Sequence, residues 1–354
     1  MEVRATLDDM GLKVASALAI SAVLLAGCGG EPAAAPPPRT ASPSASAPAS
    51  SDAPSPSPSE TLPPVTDKVS LPQLMREEFP GGEVTVLRES GSTDAYRRFE
   101  VSYPSGPLTI TGVLLRPRGE GRFPGVVLAH GHIDTDIYVT GQGLRREQDR
   151  LAREGYVVLH TDYRGHAGSS PIPEGTEEDE SRLGYTRDTI NAVQAMKRLP
   201  YVDPDRTALL GRSMGGAVVM NALVAQPGLV RAGVTYASVS SDIVDNIKRW
   251  AVPSRPEEVA RLYRQYGDPE REPEFWAGLS ARTYFDRIEV PVQMHHGTDD
   301  ESCPIRWAYT TRDLMESAGV RQRLWVYEGE QHAFGPQWDL SMRRVIGFLD
   351  RHLG

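Results

Sequence analysis

The sequence predicts an α/β fold in which a mostly parallel central sheet is flanked by helices on both faces. From residue 124 onwards, short apolar runs alternate with helix-like segments, and continuous apolar runs are typical of parallel strands that are buried on both faces. Ahead of that region, three strand patterns at 84–88, 96–103 and 108–115 are joined by turns rich in Gly, Ser and Pro. These turns predict an antiparallel N-terminal meander that precedes the parallel part of the sheet.

The individual elements can be assigned from hydrophobic periodicity and from turn residues. The apolar runs predicted to be strands of the parallel part lie at 125–129, 156–161, 207–210, 232–237, 290–294 and 324–327. The predicted helices lie at 71–79, 144–153, 183–199, 217–225 and 340–352. Between 240 and 287 the alternation is interrupted by an insert that contains seven aromatic residues. Two interpretations of these aromatics stay open: they line a substrate pocket, or they pack the insert onto the sheet.

Composition excludes several functional classes. The 354 residues carry 47 acidic and 38 basic side chains, a net charge of −9, with no basic cluster of the kind that binds nucleic acid. No H-E-x-x-H or C-x-x-C spacing is present and no G-x-G-x-x-G follows a strand, so we expect neither a metal nor a cofactor. The sequence gives no indication of oligomeric state.

The N-terminus has the pattern of an export signal. Residues 14–26 form a predominantly apolar run of 13 residues, shorter than the roughly 20 that a membrane span needs. The run ends in Leu25-Ala26-Gly27-Cys28, which resembles the lipobox of bacterial lipoprotein signal peptides and implies lipidation of Cys28. An ordinary secretory signal is the alternative. The acidic residues near the start, such as Glu2 and Asp8, leave Met10 as an alternative start.

A low-complexity segment follows the signal. Of residues 31–64, 27 of 34 are Pro, Ser or Ala, which cannot build a core, so we expect a disordered tether. The predicted organisation is therefore a signal peptide at 1–28, a tether at 29–65 and one folded domain at 66–354 with an insert at about 240–287. The expected location is the extracytoplasmic side of the cell membrane, held there by a lipid anchor, with secretion as the alternative.

The most informative stretch of the folded part is Gly211-Arg212-Ser213-Met214-Gly215. It lies between an apolar strand run and a helix-like run. A G-x-S-x-G in that position predicts a sharp strand-to-helix turn that presents the Ser213 hydroxyl as a nucleophile. The turn is so tight that side chains at Gly211 and Gly215 would collide, which explains both glycines.

Four further polar clusters also follow apolar strands. They are 130–132, 162–166, 296–300 and His332. Because the carboxyl ends of parallel strands meet at the same edge of a sheet, these residues and Ser213 are predicted to form one site. The order Ser213, Asp300, His332 would supply a nucleophile, an acid and a base.

This order resembles that of the α/β-hydrolase superfamily over residues 80–354. Within the superfamily, the motifs at 202–206, 211–216, 296–304 and 331–334 are similar to those of the prolyl oligopeptidase catalytic domain and of dienelactone-hydrolase-like esterases. The resemblance implies an α/β-hydrolase fold with a lid insert and a Ser-Asp-His triad. The family pattern His-Gly-x-x-Asp places the acid at Asp300, with Asp299 as the alternative. It also puts Cys303 where a hydrophobic residue is usual.

The same resemblance implies an oxyanion hole made by the Met214 amide and, after His130-Gly131, by the His132 amide. The expected activity is hydrolysis of an ester or related acyl bond in a small molecule, through an acyl-enzyme. A serine peptidase of the prolyl oligopeptidase type acting on short peptides is the alternative, although about 60 residues ahead of the core are too few for the β-propeller usual in such peptidases. A non-catalytic binding lipoprotein is the third class.

Overall fold

A computed structural model describes residues 62–173 and 182–354 of the chain. The predicted signal peptide with Cys28, and all but the last residues of the predicted tether, lie outside the described residues. Among the described residues, no helix is long and apolar enough to cross a membrane.

The centre of the fold is a nine-stranded sheet with the strand order β1-β2-β3-β5-β4-β6-β7-β8-β9. The strands are β1 Thr85–Ser92, β2 Tyr96–Ser105, β3 Leu108–Pro117, β4 Phe123–Ala129, β5 Val157–Thr161, β6 Val202–Arg212, β7 Ala232–Tyr236, β8 Val292–Gly297 and β9 Gln322–Tyr327. Strands β1, β2 and β3 pair antiparallel, and β3 also pairs antiparallel with β5. All pairs from β5 to β9 are parallel. The predicted antiparallel meander and mostly parallel sheet are both confirmed.

Helices cover both faces of this sheet. They are α1 Leu71–Leu74, α2 Arg145–Arg153, α3 Leu183–Lys197, α4 Met214–Ala225, α5 Ile243–Asn246, α6 Val252–Ser254, α7 Pro256–Tyr266, α8 Pro273–Gly278, α9 Ile305–Ser317 and α10 Trp338–Leu353. One apolar cluster packs α3, α4 and α9 against one face, and a second packs α2 and α10 against the other. Strands β5 and β7 are buried along their whole length because they lie between these two layers.

Several predicted boundaries differ from the structure, among them the start of β6, which lies at Val202 rather than at 207. The helix expected at 71–79 ends after one turn at Leu74, with buried Met75 as its C-cap and three charged residues at 76–78 after that. Strand β1 continues to Ser92, four residues beyond the prediction, because it pairs with β2 along its whole length. Helix α9 was not predicted at all. It buries Trp307, Ala308, Thr311 and Met315 on one face.

The segment between β7 and β8 contains α5 to α8, a π-helical turn at Ile247–Ala251 and a 3₁₀ helix at Ala281–Arg287. Its largest aromatic side chains point into the protein rather than to solvent. Trp276 and Phe285 are buried, and the Trp250 ring lies 5.5 Å from that of Trp307 on α9. These contacts favour the packing interpretation of the aromatic residues in the insert.

Candidate active site

Ser213 occupies the turn between β6 and α4 with a backbone conformation of φ +56° and ψ −122°. A positive φ is strained for a residue other than glycine and persists only where the surroundings enforce it. Here the Ser213 amide donates to the Tyr236 carbonyl at 2.9 Å, which ties the turn to the end of β7. The strain is therefore held by the sheet itself.

The two glycines of the motif are required by close backbone approach. A Cβ atom on Gly211 would overlap the carbonyl oxygen of Gly215, and a Cβ atom on Gly215 would overlap that of Ala129 at the end of β4. Neither position has room for a methyl group, so helix α4 can begin directly against the strand ends only because both residues lack a side chain. The geometry agrees with the reason given for these glycines from the sequence.

Asp300 lies in the loop after β8 and faces His332. The Nδ1 atom of His332 is 2.9 Å from Oδ2 and 3.0 Å from Oδ1 of Asp300. Burial alone would raise the pKa of Asp300, but hydrogen bonds from His296, His332 and the Cys303 amide hold that pKa well below its usual range. The carboxylate is therefore charged whenever the protein is folded near neutral pH.

This geometry determines the tautomer of His332. Its Nδ1 faces two carboxylate oxygens, which only accept hydrogen bonds, so Nδ1 carries the proton and Nε2 carries a free lone pair. Asp299 has a different environment: it is exposed, and its side chain accepts a hydrogen bond from its neighbour Thr298. The geometry thus supports Asp300 over Asp299 as the acid that orients His332.

A buried carboxylate that the sequence analysis missed shapes the loop around His332. Glu330 is 2 % exposed, and its side chain accepts hydrogen bonds from the amides of Gly335, at 2.6 Å, and of Gln337. Its carbonyl oxygen accepts from the Asp299 amide at 3.0 Å, which joins the two loops. Nothing in its sequence context distinguishes Glu330 from its exposed neighbour Glu328.

A second missed carboxylate anchors the motif from the other side. Glu147 on α2 is 1 % exposed and pairs with Arg212, the residue before Ser213. The same carboxylate accepts a hydrogen bond from the Trp338 indole at 2.8 Å. Arg146 donates to the Phe334 carbonyl at 2.6 Å. Helix α2 therefore connects the Ser213 turn to the segment that follows His332.

The predicted oxyanion donors lie at the expected strand ends. A Cβ built on Gly131 would be 3.7 Å from the Ser213 Oγ, so this loop passes directly beside the hydroxyl. Within residues 62–173 and 182–354, neither the Met214 nor the His132 amide donates to a protein acceptor. The His132 side chain is exposed to solvent. Both amides are thus available to a ligand, and their role stays a prediction.

Residues behind this loop hold its shape. His130 is fully buried, and burial lowers its pKa to about 3, so the ring is neutral. Its Nδ1 donates to the Gly131 carbonyl at 2.6 Å. Asp162 accepts from the Tyr138 hydroxyl at 2.7 Å and from the Gly141 amide at 2.8 Å. The 130–132 and 162–166 clusters therefore contribute positioning around the Ser213 turn.

The turn at Ala167 departs from the glycine-rich pattern that usually follows such an Arg-Gly. Ala167 takes up a positive φ of +48°, a conformation that favours glycine. The preceding Arg164 makes a paired contact with buried Asp188, at 3.0 and 3.1 Å. The buried ion pair between Arg164 and Asp188 thus fixes this loop, although Ala167 stands where a glycine would be unstrained.

Cys303 is fully buried and lies at the centre of the site. Its amide donates to Asp300 Oδ1 at 2.7 Å, and its thiol is within hydrogen-bonding reach of the Ser213 side chain. Burial, and then the charge of Asp300, raise the pKa of the thiol, so it is protonated at neutral pH. The side chain is small and buried, and its thiol lies within 4.8 Å of a donor atom of Asp300 and one of His332.

The remaining histidines have structural roles. His160 in β5 is fully buried, and His295 bonds the Tyr327 hydroxyl at 2.8 Å and the Gln293 side chain at 3.0 Å. His296 Nε2 donates to the Cys303 carbonyl at 2.7 Å, which supports the acid loop. His352 is half-buried against Phe348 on α10.

Comparison with known proteins places this geometry in a family. The sequence profile of the prolyl oligopeptidase family, Peptidase_S9, matches residues 143–354, which contain Ser213, Asp300 and His332. The chain belongs to the prolyl oligopeptidase family. It is a serine hydrolase.

Relatives and solved structures include both peptidases and esterases. An uncharacterized peptidase, YtmA of Bacillus subtilis, is 24% identical over 252 residues, covering 71% of this chain and 90% of that protein. The acetyl xylan esterase from Paenibacillus sp. R4 aligns with a TM-score of 0.61 at 19% identity over 78% of this chain and 92% of that one. The Pyrococcus horikoshii acylaminoacyl peptidase aligns with a TM-score of 0.58 at 20% identity over 74% of this chain but 42% of that one. These structural matches establish the α/β-hydrolase fold.

Proposed function

We propose that the enzyme hydrolyses an ester or related acyl bond in a small molecule through an acyl-enzyme on Ser213. The observation that carries the proposal is the hydrogen bond between Asp300 and His332 Nδ1 at 2.9 Å, which leaves the Nε2 lone pair of His332 free to accept a proton. An oriented base that can reach a serine held on a strained turn is the arrangement that activates a hydroxyl nucleophile.

The reaction proceeds in two halves. Nε2 of His332 takes the Ser213 proton as Oγ attacks the carbonyl carbon, and Asp300 stabilises the imidazolium that forms. The amides of Met214 and His132 bind the oxyanion, and removing one such donor typically lowers turnover about 100- to 1000-fold. His332 then protonates the leaving group, and water, activated by the same base, releases the acyl group.

The environment of an acidic pair in the insert supports an ester rather than a peptide. Amide hydrolysis needs protonation of a poor leaving group, so a peptidase must align the scissile nitrogen closely by binding the rest of the peptide. Glu257 and Glu258, the adjacent acidic pair in the insert that offered an amine clamp, are exposed on the first turn of α7. Glu258 also pairs with Arg255 at 3.2 Å.

A serine peptidase acting on short peptides remains the second candidate, because the family and YtmA carry peptidase names. The two candidates are separated by the specificity constants kcat/KM for short-chain p-nitrophenyl esters and for Gly-Pro and Ala anilides. We expect the esters to be cleaved far faster. Anilide turnover equal to or above that of the esters would establish the peptidase, and Glu257→Gln and Glu258→Gln would then be the first variants to test.

We also propose that the insert between β7 and β8 acts as a lid over the site. Arg249 in its π-helical turn donates to the Glu301 carbonyl at 2.7 Å, directly beside Asp300. The insert is therefore joined to the acid loop, where it would border the substrate. An Arg249→Ala variant is expected to raise KM more than it lowers kcat, since the contact positions the insert without touching the triad.

The predicted N-terminal signal gives the proposed location. We propose that Cys28 is lipidated and holds the enzyme on the extracytoplasmic side of the membrane, with the Pro, Ser and Ala-rich segment as a tether.

A further inference from the structure

We propose that Asp300, Cys303 and His332 form a binding site for a thiophilic divalent cation, Zn²⁺ or Cd²⁺, whose binding inhibits the enzyme. The cation is an inhibitor and takes no part in the reaction. Binding itself depends only on these three side chains, whereas the inhibition rests on the proposed role of Asp300 and His332 in the triad.

The three side chains are already close together. Their donor atoms, one each from the carboxylate, the thiol and the imidazole, all lie within 4.8 Å of one another. In a tetrahedral zinc site the donor atoms are about 3.3–3.6 Å apart, given Zn–S of about 2.3 Å and Zn–N or Zn–O of about 2.0–2.1 Å. The widest pair therefore has to close by little more than about 1 Å, and the Asp300–His332 pair, now at 2.9 Å, has to open slightly.

The surroundings resemble the outer shell of a built metal site. A carboxylate that binds a metal is usually held in place by further hydrogen bonds. Asp300 accepts such bonds from the amides of Ser302, at 3.0 Å, and Cys303, at 2.7 Å, and neither depends on its hydrogen bond with His332. His296 Nε2 lies 3.2 Å from Oδ2 of Asp300 and adds a third partner. The carboxylate thus stays fixed while it exchanges one hydrogen bond for a metal bond.

The fourth coordination position and the access route are both at Ser213. Cys303 and the Asp300 side chain are fully buried, but the His332 side chain is 20% exposed and Ser213 is half-buried. Because the Cys303 thiol is within hydrogen-bonding reach of the Ser213 side chain, a cation on the thiolate is also next to the serine. Water or the Ser213 hydroxyl completes a four-coordinate site.

Binding of the cation releases a proton. The cation replaces the Cys303 thiol proton, which goes to solvent, and forms a bond to the thiolate sulfur. It also replaces the hydrogen bond between Asp300 and His332. Nδ1 of His332 becomes the metal ligand, its proton moves to Nε2, and the Nε2 lone pair that would take the Ser213 proton is lost. The loss of turnover follows from this change in bonding, with no oxidation and no covalent change in the protein.

The mixture of ligands selects the cation. A thiolate, an imidazole and a carboxylate together favour Zn²⁺ and its softer analogue Cd²⁺, whereas Mg²⁺ and Ca²⁺ prefer oxygen ligands alone. The property depends on Cys303, which occupies a place where a hydrophobic residue is expected. A valine at this position would leave a carboxylate and an imidazole, which is a weak pair of ligands.

The binding test uses the full chain, which has two cysteines. In a Cys28→Ser variant, Cys303 is the only thiol, so an ultraviolet cadmium–thiolate charge-transfer band on titration with CdCl₂ reports binding at Cys303. We expect one Cd²⁺ per chain, and no band in Cys28→Ser/Cys303→Ser. Circular dichroism checks that both proteins are folded, and Cys303→Val replaces Cys303→Ser if the serine variant unfolds. A folded Cys28→Ser protein that gives no band would overturn the proposal.

The inhibition test compares each variant with its own metal-free rate of ester turnover. We expect Zn²⁺ to inhibit the wild-type and Cys28→Ser proteins equally, Mg²⁺ and Ca²⁺ to have no effect, and Cys303→Ser or Cys303→Val to weaken Zn²⁺ inhibition by about tenfold or more. Equal Zn²⁺ sensitivity with and without the Cys303 thiol would show that the cation acts elsewhere. Because the cadmium band needs no substrate, failure of the proposed activity is distinguishable from failure of the metal site.

Discussion

His332 Nδ1 lies 2.9 Å from Oδ2 of Asp300, whereas the adjacent Asp299 is exposed and bonded to Thr298. Asp300→Asn would offer an amide that can stabilise the wrong imidazole tautomer, so we expect kcat to fall by about 10⁴-fold. Asp299→Asn is the matched control and should change kcat little. Steady-state kinetics on one ester decides between them, and the reverse ranking would identify Asp299 as the acid.

Glu330 is expected to set the position of His332 without touching substrate. Glu330→Gln would place an amide NH₂ against one of the two backbone N–H groups that Glu330 now accepts from. Leaving such a buried N–H without an acceptor lowers the free energy of unfolding by about 1–3 kcal/mol. We expect a lower Tm together with a lower kcat. Glu328→Gln, two residues earlier on the exposed side of the same loop, is the control and should alter neither. Wild-type stability and kcat in Glu330→Gln would show that the loop does not depend on this carboxylate.

The local features of the site could be predicted because short motifs determine them. The Ser213 turn follows from two glycines within five residues, and the resemblance to the family pattern His-Gly-x-x-Asp points to Asp300 as the acid. The polar clusters could be assigned to one edge because strand direction follows from the alternation of strands and helices.

The supporting carboxylates could not be predicted because their partners are far away in the chain. Glu147 contacts Arg212, 65 positions later, and Trp338, 191 positions later. A single sequence does not distinguish such a buried acid from an exposed one, since both occur in ordinary helical or loop patterns. Helix α9 was missed for a related reason: its apolar face is visible only when the packing of Trp307 is known.

Acid sensitivity should follow from the buried histidines. His160 is fully buried and its pKa is lowered to about 3, below the value of about 6.5 in an unfolded chain. Between these two values the unfolded chain binds a proton that the native protein does not, so the free energy of unfolding falls as the pH falls from about 6.5 towards 3. We expect His160→Leu to lose less stability than the wild type between about pH 7.5 and 5 in urea titrations. If the free energy of unfolding falls by the same amount between these two pH values in His160→Leu and in the wild type, His160 makes no such contribution.

The lipid anchor gives a prediction outside the described residues. Cys28→Ser should move the enzyme from the membrane fraction to the soluble fraction, because two or more acyl chains anchor a protein stably. Fractionation with immunoblotting measures the change, and mass spectrometry of the mature N-terminus tests for lipid on Cys28. A Cys28→Ser protein that stays in the membrane fraction would contradict the lipidation.

The most direct test of the central claim is to map the residue that a fluorophosphonate probe labels. Peptide mass spectrometry of the labelled wild-type protein is expected to place the probe on Ser213, with labelling and ester turnover both abolished in a folded Ser213→Ala variant and strongly reduced in His332→Gln. Labelling of another residue, or full turnover in Ser213→Ala, would show that Ser213 is not the nucleophile.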